Sequence, residues 1–591
     1  VRDSVLRAVG GAGVSLYARD GATVLAGQVS GNTIEATGGA GVRVRTASSE
    51  AQVAVVDNTV TDATGHGVYV EHNSGTATPE VRGNTVAGVG GTSTAYGVYV
   101  DTWGTVLPSV AVSGNDVSGV VNGRGMHVDL DRGTVETVSL VDNAVHANER
   151  EGVYVVLGSV DAGARSLVVR GNRVWGNGTD GSYAGMWLRW WRAGASAPAV
   201  SRNEVWENTG AGLRVETAAG TGADVVHNVV RDNAGDGVQL AVGSVAEVHR
   251  NGIYGNGGYG LVNESGAAVS ADANWWGAAV TSELASGGNP KDVSALYDIY
   301  DDGALGTVGY VPWLASAVAI EPGAASWVRV PGDGASVKGP GVVLEGSASA
   351  GEAIARVEVS TDGGLSWQEA QGGLNWRYGW TAPGDGSYGL RSRVVTATGV
   401  EVPSAGTVVV VDGSLPTTSG ELLADETWSG TVELTGDVVV PGGVTLSIEP
   451  GATIRFRALN DDQGGGADAS RPELVVEGSL VAVGTAAEPI ELTSDAGVPA
   501  AGDWGGVRVT GAGTVRLAHA VVEYATTGVD VRVDGGVVAA VEVAESVVRH
   551  VTGDGVYVEA RGGAVLEAVV RDAALRAVGG AGVSLYARDG A

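Results

Sequence analysis

A short motif recurs along the first half of the chain, and its spacing constrains the fold more than any other feature. Each copy is a glycine followed by an apolar, an exposed and a second apolar residue, as in Gly67-Val68-Tyr69-Val70. Ten copies, 23 to 33 residues apart, begin at Gly13, Gly41, Gly67, Gly97, Gly125, Gly152, Gly185, Gly212, Gly237 and Gly260. Alternation of period two predicts a short β-strand in each copy. A repeat of this length built from such strands predicts a β-solenoid with one coil per repeat.

Asparagine recurs in phase with this motif. One asparagine per coil is found at Asn32, Asn58, Asn84, Asn115, Asn143, Asn172, Asn203, Asn228, Asn251 and Asn274. We expect these residues at one corner of the coil, where left-handed backbone is tolerated, with their amides stacked between coils. A second asparagine often follows five residues later, as in Asn143/Asn148 and Asn172/Asn177. Turn propensity alone does not explain ten asparagines in phase with the glycines.

The residue between the two apolar positions of the motif should point outward. In five successive coils this residue is aromatic, and a further tryptophan lies beside the column: Tyr69, Tyr99, His127, Tyr154, Trp187 and Trp191. Such a column could stack sugar rings or form the seam where another chain or domain docks. It could equally stabilise the solenoid face by cross-strand stacking.

The composition agrees with many short strands. The 591 residues include 97 Gly, 16 Pro and one Phe, which suits strands separated by glycine turns and argues against helices. The net charge of −31 excludes a general nucleic-acid binder and favours a self-repelling surface or an affinity for cations. Without Cys, disulfides and thiol catalysis are excluded. No apolar run reaches the roughly 18 residues of a membrane helix, and no signal peptide is visible.

The glycine and asparagine registers resemble the right-handed parallel β-helix repeat family, which includes periplasmic carbohydrate-binding proteins and sugar hydrolases. The segments Asn274-Trp275-Trp276-Gly277 and Val311-Pro312-Trp313-Leu314 are similar to the way in which such helices commonly end. The resemblance implies a parallel β-helix over residues 1–316.

The pattern changes between residues 317 and 412 to alternating strands separated by Asp-Gly and Pro-Gly turns, which is typical of a β-sandwich. A hairpin turn is predicted at Asp362-Gly363-Gly364, with Trp367, Trp376 and Trp380 as core or edge aromatics. The segment resembles bacterial immunoglobulin-like domains, including the sandwich of sulfite-oxidase-type enzymes, whose cofactor-binding part is absent. The resemblance implies a spacing or docking module.

A linker, residues 413–427, leads to a second β-helix over residues 428–591. The stretch TWSGTVELTGDVVV resembles the N-terminal cap and opening coils of secreted β-helix proteins. The glycine motif then returns at Gly528, Gly555 and Gly582.

Residues 570–591 repeat residues 1–22, with differences only at Ser4 against Ala573 and Val5 against Ala574. The offset is 570 − 1 = 569 residues. Because neighbouring coils share only a pattern, this near-identity indicates duplication of a very long unit. We expect the chain to be one period of a tandem array, with the second β-helix continuing as the first β-helix of the next copy.

The chain offers few candidates for chemistry. Catalytic β-helices place carboxylates on one outer face over adjacent coils. The best such cluster comprises Asp129, Asp131 and Arg132, with Asp101 and Glu71 in the preceding coils. A solvated acidic face explains it equally well, so we assign no catalytic residue. The eight histidines are too scattered to predict a metal site.

Calcium is the one candidate cofactor. Asp461 and Asp462 in a glycine-rich loop, and Asp298 and Asp302 near the end of the first helix, could bind Ca²⁺ through carboxylate oxygens. Turn acids in an acidic protein are the simpler interpretation, because no known calcium-binding loop or repeat is present.

Together these features predict an all-β protein, a right-handed parallel β-helix interrupted by an immunoglobulin-like sandwich. We expect a non-catalytic repeat unit of a giant extracellular or cell-surface filament, with copies of itself as partners and no nucleic acid or membrane insertion. Each coil contacts only its neighbours, so a solenoid can extend into a stiff rod. The sandwich and linker should cover the helix ends and continue the solenoid axis across residues 317–427. The alternatives are a glycan-binding adhesin that uses the aromatic column and a polysaccharide lyase or hydrolase.

Overall fold

The computed structural model describes the chain except for residues 19–22, 47–49, 73–77, 92–93, 159–162, 192–195, 220, 244–245, 321–322, 400–402, 462–465 and 589–591. The described residues form two stacks of three-sided coils with an antiparallel module between them in sequence. Strands of successive coils pair in parallel throughout both stacks. The fold is therefore an all-β parallel solenoid with an inserted antiparallel region, as the sequence predicts.

Each coil of the first β-helix contributes a strand to three sides. One side is a ten-stranded sheet of three-residue strands: Val5–Arg7, Thr33–Glu35, Thr59–Thr61, Thr85–Ala87, Asp116–Ser118, Ala144–His146, Arg173–Trp175, Glu204–Trp206, Val229–Arg231 and Gly252–Tyr254. The side after the repeated glycine contains Val14–Ala18, Val42–Thr46, Val68–His72, Val153–Leu157, Met186–Trp190, Leu213–Ala219, Val238–Gly243, Leu261–Asn263 and Leu296–Tyr297. The side before the asparagine corner contains Thr23–Ser30, Glu50–Val56, Glu80–Arg82, Gly163–Arg170, Ala199–Ser201, Asp224–Val226, Ala246–His249, Val269–Ser270 and Val308–Gly309. In two coils the last two sides merge into one strand, Tyr96–Ser113 and Arg124–Val141.

The repeated glycine is required because successive coils approach too closely for a side chain. A Cβ atom added to Gly67 would lie 2.5 Å from the carbonyl oxygen of Gly97, a separation that real Cβ atoms essentially never show. The apolar residues that follow these glycines, such as Val68 and Val98, are fully buried. The glycine column therefore lets the coils stack into one continuous core.

The ten predicted asparagines form a ladder at one corner, and each is at most 1% exposed. The amide of Asn143 donates to the side-chain oxygen of Asn172 at 2.9 Å and to the carbonyl oxygen of Val112 at 3.0 Å. The side-chain oxygen of Asn172 also accepts the backbone N–H of Asn143 at 3.0 Å. The amides thus satisfy backbone groups that the bend would otherwise leave unpaired. A second ladder runs along the next corner through Asn148, Asn177, Asn208, Asn233 and Asn256.

The residue before each ladder asparagine makes the bend, because it has left-handed backbone. Its φ lies between 54° and 69° in all ten coils, at Gly31, Asp57, Gly83, Gly114, Asp142, Gly171, Arg202, His227, Arg250 and Ala273. Gly and Asp are expected here, since this conformation is costly for most side chains. We call these ten positions the left-handed column.

Residues 325–411 form two sheets around a separate core. One sheet contains Ala325–Val330, Gly341–Ser349, Gln371–Gly372 and Asn375–Thr381, and the other Ser336–Val337, Ile354–Ser360, Gln368–Glu369, Gly386–Thr396 and Thr407–Val411. Trp376 and Trp380 are buried in the core, whereas Trp367 lies under the guanidinium of Arg393. The predicted hairpin turn is present, with the Asp362 carboxylate accepting two backbone N–H groups at 2.9 Å.

The second β-helix begins inside the segment expected to be linker, because Gly420 already pairs with Val438 of the next coil. Its first side contains Gly420–Glu421, Val438–Val440, Glu473–Val476, Gly506–Val509, Val529–Asp534, Val556–Arg561 and Val583–Ala587. Its second contains Glu426–Trp428, Thr445–Ile448, Ser479–Val483, Thr514–Ala518, Val538–Ala544 and Val565–Arg571. Its third contains Thr431–Leu434, Thr453–Phe456, Ile490–Ser494, Ala520–Glu523, Val547–Val551 and Ala574–Val578.

A short α-helix, Ala278–Ala285, departs from the expectation that the composition argues against helices. It follows Gly277 and buries Leu284 against the end of the first core. The backbone N–H of Leu314 then donates to the carbonyl oxygen of Asn274 at 2.8 Å, so the predicted terminal segment closes the ladder. No helix in the described part of the chain has the length and hydropathy needed to cross a membrane.

Replacing a central rung, Asn172→Ala, should open the ladder. The substitution removes the acceptor of the Asn143 side-chain amide and of the Asn143 backbone N–H, and it removes the side-chain donor to the carbonyl oxygen of Leu140. Because a buried unsatisfied polar group costs about 1–3 kcal/mol, we expect a local destabilisation of about 3 kcal/mol. Amide hydrogen exchange over residues 140–205 measures it.

The matched control is Asn256→Ala at the half-buried last rung of the second ladder, where we expect about 1 kcal/mol because fewer buried groups lose a partner. Unchanged protection in Asn172→Ala would show that the ladder does not hold the coils in register.

Candidate functional site

The predicted aromatic column is a continuous line of outward side chains on the side that follows the repeated glycine. In successive strands Tyr69 pairs with Tyr99, Tyr99 with His127, His127 with Tyr154, and Tyr154 with Trp187. His127 and Tyr154 are only 6% and 7% exposed, and the other three are half-buried. The five residues therefore lie next to one another in successive strands, and the rings of His127 and Tyr154 are largely buried.

Most rings of the aromatic column contact another ring of the column or one of the neighbouring rings His66 and Tyr96. Tyr69 and Tyr99 stack with centroids 5.0 Å apart and planes within 6°. His66 and Tyr96 stack on each other at 5.1 Å, and Tyr96 packs edge-on against His127 at 4.7 Å. A sugar ring stacks on an aromatic face, and here other rings occupy those faces. This geometry supports the interpretation of the column as cross-strand stacking.

Arginines surround the far end of the column. The guanidinium groups of Arg189 and Arg214 lie 5.4 and 5.2 Å from the ring centre of Trp187. Arg189 also donates to the hydroxyl of Tyr154 at 3.0 Å. Trp191 follows the strand Met186–Trp190 and is 42% exposed, so it is the most accessible ring of the predicted set.

Burial keeps His127 and the neighbouring His66 uncharged near neutral pH. Burial, together with the Arg124 guanidinium, lowers the pKa of His127 to about 3. Burial and Arg43 lower the pKa of His66 to about 4. Burial also raises the pKa of Tyr69 above its usual range. Among the described residues neither ring nitrogen of His127 has a hydrogen-bond partner, which suits a packed ring better than a proton-transfer group.

The carboxylates considered for catalysis form an acidic file beside the aromatic column. Glu71 pairs with Asp101, and Asp101 with Asp129, in adjacent strands. Glu71 forms an ion pair with Arg45 at 3.1 Å. The side chains of Asp131 and Arg132 lie outside the described residues. These contacts are those of a row of surface carboxylates with a neighbouring arginine, and none of them requires a catalytic role.

Two of the four aspartates considered for calcium serve turns. The carboxylate of Asp298 accepts the backbone N–H groups of Tyr300 at 3.0 Å and Val308 at 2.8 Å. Burial raises the pKa of Asp298 to about 6. Asp302 accepts the backbone N–H of Ala304 at 3.0 Å, and Asp462 lies outside the described residues.

Asp461 lies beside other buried acids of the second β-helix. Its carboxylate accepts the backbone N–H of Asp437 at 3.1 Å, and Asp437 accepts that of Glu473 at 2.7 Å. Burial and the Asp461 carboxylate raise the pKa of Asp437 to about 7. Glu473 forms an ion pair with Arg508 at 3.2 Å. Within the described ranges no group of three or more His, Asp or Glu side chains could hold a metal ion, so the calcium hypothesis stays a prediction.

A docking surface between the first β-helix and the antiparallel module was not predicted. Arg202 donates to Ser349 Oγ at 3.1 Å and to the carbonyl oxygen of Gly323 at 3.2 Å. His227 donates from Nε2 to the carbonyl oxygen of Ala319 and accepts from Ser349 Oγ at Nδ1, both at 2.9 Å. The module therefore lies against the side of the coils, whereas the sequence was interpreted as placing it over a helix end.

A buried chain of charges seals this docking surface. Arg329 of the module forms an ion pair with Asp272 at 2.5 Å, and their side chains are 5% and 13% exposed. Asp272 lies 3.2 Å from Nδ1 of His249, whose Nε2 lies 2.7 Å from Glu247. Burial opposes these charges, but the interactions among them prevail and lower the pKa of Asp272 while raising that of His249.

The two β-helices also touch directly. A Cβ atom added to Gly309, in the last coil of the first helix, would lie 3.3 Å from the side chain of Asn460, and one added to Gly497 would lie 2.9 Å from Gly288. Asn460 and Gly497 are in loops of the second helix. The end of the first helix therefore packs on the second helix without the module between them at these points.

The left-handed column carries the sequence signal for the docking surface. It holds Gly or Asp as far as Gly171 and then changes to Arg202, His227 and Arg250 in three consecutive coils. Turn chemistry does not explain long side chains at positions that favour glycine. Such a change therefore indicates a tertiary contact.

Stacked parallel coils, asparagine ladders and a docked antiparallel module define the chain as a parallel β-helix protein. A family model described as a right handed beta helix region matches residues 7–117 and 191–275. A second model, described as a pectate-lyase like beta helix domain, matches residues 420–540. The chain thus contains right-handed β-helix domains in both stacks. No curated protein matches the sequence.

Solved structures that match parts of the chain include fibronectin(III)-like modules of CbhA from Clostridium thermocellum, with 15% identity over 17% of this chain and 56% of that one, at a TM-score of 0.14. An engineered protein matches with 20% identity over 20% and 25% of the two chains, at a TM-score of 0.14. A modular endo-beta-1,4-mannanase from Cellulomonas fimi matches with 14% identity over 25% and 40%, at a TM-score of 0.13. Each match covers less than two thirds of the solved chain, and scores this low carry no argument about this protein.

Removing the buried carboxylate, Asp272→Asn, should loosen the docked module. Arg329 would keep its charge in a site where it is 5% exposed, and its other ion-pair partner, Glu345, lies 3.9 Å away. Breaking a buried ion pair costs about 3–5 kcal/mol, and we expect about 3 kcal/mol here because Glu345 is close. Hydrogen exchange in the strand Ala325–Val330 measures the loss.

The matched control is Asp232→Asn, which breaks the half-exposed pair with Arg231 at 2.6 Å and should cost less than about 1 kcal/mol. Equal effects of the two substitutions would mean that the buried pair does not hold the module in place.

Proposed function

We propose that the chain is a structural repeat unit of a long, rod-like extracellular scaffold, in which the β-helix continues from one unit into the next and no reaction is catalysed. One observation carries this proposal. The same coil sequence occurs at residues 6–18 and 575–587, and a following coil covers it in the first place but not in the second.

In the copy at residues 6–18, the strand Val14–Ala18 is covered by the strand Val42–Thr46 of the following coil. Val14 and Leu16 pair with Val42 and Val44 of the following coil, and Val14 is only 6% exposed. Both side chains pack on the core of the first β-helix.

The open copy leaves the same side chains in solvent. Val583 and Leu585 correspond to Val14 and Leu16, and they are 38% and 65% exposed. Burial of an aliphatic side chain is worth about 1.5–3 kcal/mol, and an open coil edge is a template for pairing. Both considerations favour a further coil on this face. The sequence that follows residue 22 is the natural candidate, because residues 570–591 repeat residues 1–22.

The positions of the caps support a helix that crosses the boundary between units. The first β-helix is closed by Ala278–Ala285 and the segment that ends near Leu314. The second opens with Trp428, which is fully buried and donates from its indole N–H to Glu426 at 2.9 Å. Lys338 of the module forms an ion pair with the same Glu426 at 2.8 Å. One unit therefore carries one opening cap and one closing cap, with the docked module between them in sequence.

The partners that we propose are further copies of the same unit, outside the cell. The net charge of −31 disfavours nucleic acid and limits random association of rods by mutual repulsion. Defined contacts are then confined to the coil ends and to local surfaces. The resemblance of the opening coils to secreted β-helix proteins supports the extracellular location.

The alternative functions have less support, although the pectate-lyase like match over residues 420–540 fits a carbohydrate-active role. A glycan-binding adhesin needs free aromatic faces, and the faces of the aromatic column are largely occupied by other rings. A polysaccharide lyase or hydrolase would rest on the acidic file in the first β-helix, whereas the pectate-lyase like match covers residues 420–540 of the second. Both alternatives stay predictions.

Extending the chain tests the proposal. Residues 23–72 attached after Ala591 should stack on residues 574–587 as residues 33–46 stack on the first coil. We expect the amides of Val583–Ala587 to gain at least about tenfold protection from hydrogen exchange, because they would become an interior strand.

The control is the same extension with residues 23–72 in scrambled order, which should leave Val583–Ala587 as exposed as before. A native extension that behaves like the scrambled one would refute a continuous solenoid.

A further inference from the structure

A small cleft lies where the closing segment of the first β-helix passes between the coils and the antiparallel module. Its volume is about 230 Å³, and its walls are His227, Arg250, residues 314–319 and Trp327. The closing segment supplies a mainly apolar wall, and Arg250 supplies the one charged wall. The cleft is remote from the aromatic column, since Arg250 belongs to the asparagine corner.

Arg250 differs from the other arginines of the docking surface because, among the described residues, its guanidinium has no oxygen partner. Arg202 donates to two oxygens, and Arg329 forms the ion pair with Asp272. The guanidinium of Arg250 lies 4.3 Å from the ring centre of Trp327, and in the described part of the chain no carboxylate forms an ion pair with it. A guanidinium has five N–H donors, and contact with an aromatic ring face satisfies none of them.

The backbone of Arg250 is also unusual for an arginine. Arg250 has φ of 59°, in the left-handed region where glycine is favoured. Arg202 and His227, at the equivalent positions of the two preceding coils, use their side chains to hold the module. Arg250 adopts the same costly conformation and projects its half-buried side chain to the wall of an open cleft.

The charges around the cleft favour an anion. Arg202 and Arg329 lie on the same docking surface, and His227 is uncharged near neutral pH because burial lowers its pKa to about 4. Burial and the nearby Arg329 lower the pKa of Arg250 to about 10, which still leaves the guanidinium charged at pH 7. A guanidinium whose N–H donors are not used by oxygens of the described residues is best satisfied by an anion, which can accept charge-assisted hydrogen bonds at this wall.

We propose that this cleft is a binding site for a small organic carboxylate, whose carboxylate group pairs with the Arg250 guanidinium and whose apolar part lies against Leu314, Val318 and Trp327. The planar guanidinium matches a carboxylate through two parallel hydrogen bonds. The apolar walls favour an organic acid over an inorganic oxyanion, which has no apolar surface to bury. This inference is independent of the scaffold function.

Titration of the full chain with butyrate, followed by calorimetry or ligand-observed NMR, tests the site. Butyramide is the uncharged analogue, and inorganic sulfate is an oxyanion without an apolar part. We expect butyrate to bind at least about tenfold more tightly than either, because a hydrogen bond to a charged group is worth about that factor or more. Equal binding of butyrate and butyramide, or of butyrate and sulfate, would overturn the proposal.

Variants separate the site from a general charge effect. Arg250→Gln should weaken butyrate binding about tenfold or more. The matched control is Arg231→Gln, because Arg231 also lies over an indole ring, that of Trp206 at 5.5 Å, but is outside the cleft. Loss of binding in the control as well would overturn the proposal.

A second variant covers the case in which Arg250→Gln disturbs the docked module. Ala317→Trp should block the cleft from its exposed rim while leaving Arg250 in place, and it should also abolish binding. Undiminished binding in Ala317→Trp would overturn the proposal.

A carboxylate of the chain itself is the competing occupant. Glu321 is the nearest acidic residue in sequence to the wall formed by residues 314–319, and its position is outside the described residues. Binding that appears only in Glu321→Gln would show that the chain fills its own cleft and would overturn the proposal. Binding that is unchanged in Glu321→Gln supports an external ligand.

Discussion

The first β-helix depends on one interaction, the hydrogen bond from the side-chain amide of an asparagine to the asparagine of the next coil. Each rung of the ladder also bonds the backbone on both sides of the bend, as the contacts of Asn143 and Asn172 illustrate. The corner therefore turns at the same place in every coil, even though the lengths of the coils vary from 23 to 33 residues. Variation in length is absorbed elsewhere, in the two long merged strands and in the loops beside them. Because the register at the corner is constant, equivalent residues of successive coils lie above one another and form columns.

The columns explain how a repetitive fold acquires local functions. On one side a column of rings lies beside a file of acids, and the stacking within the column stabilises the face and leaves little of it free. At the bend, the left-handed column changes from Gly and Asp to the long side chains of Arg202, His227 and Arg250. Two consecutive coils use it to hold the antiparallel module through hydrogen bonds of Arg202 and His227, and a buried ion pair between Asp272 and Arg329 completes the contact. A change of residue type along a column therefore marks the coils that make a contact the other coils do not make.

Much of the fold could be predicted from sequence, because its determinants are periodic. The glycine motif and the asparagine register fixed the parallel coils, the ladder and the position of the aromatic column without any long-range information. The features that were missed depend on contacts between distant segments. Arg202 and Ser349 are 147 residues apart, and no local pattern connects them. The helix Ala278–Ala285 was missed because a composition dominated by strand residues conceals one short cap. The burial of His127 was missed because a strand pattern says which way a side chain points but not what lies over it.

Imaging of a chain with at least two 569-residue units tests the central claim most directly, the claim that the coil at residues 574–587 is an interior coil of a continuing helix. The account predicts unbroken β-helix density across the junction, with an axial rise of about 4.8 Å per coil and the antiparallel module at the same position on the side of every unit. A gap or a variable bend in the density at the junction would contradict it.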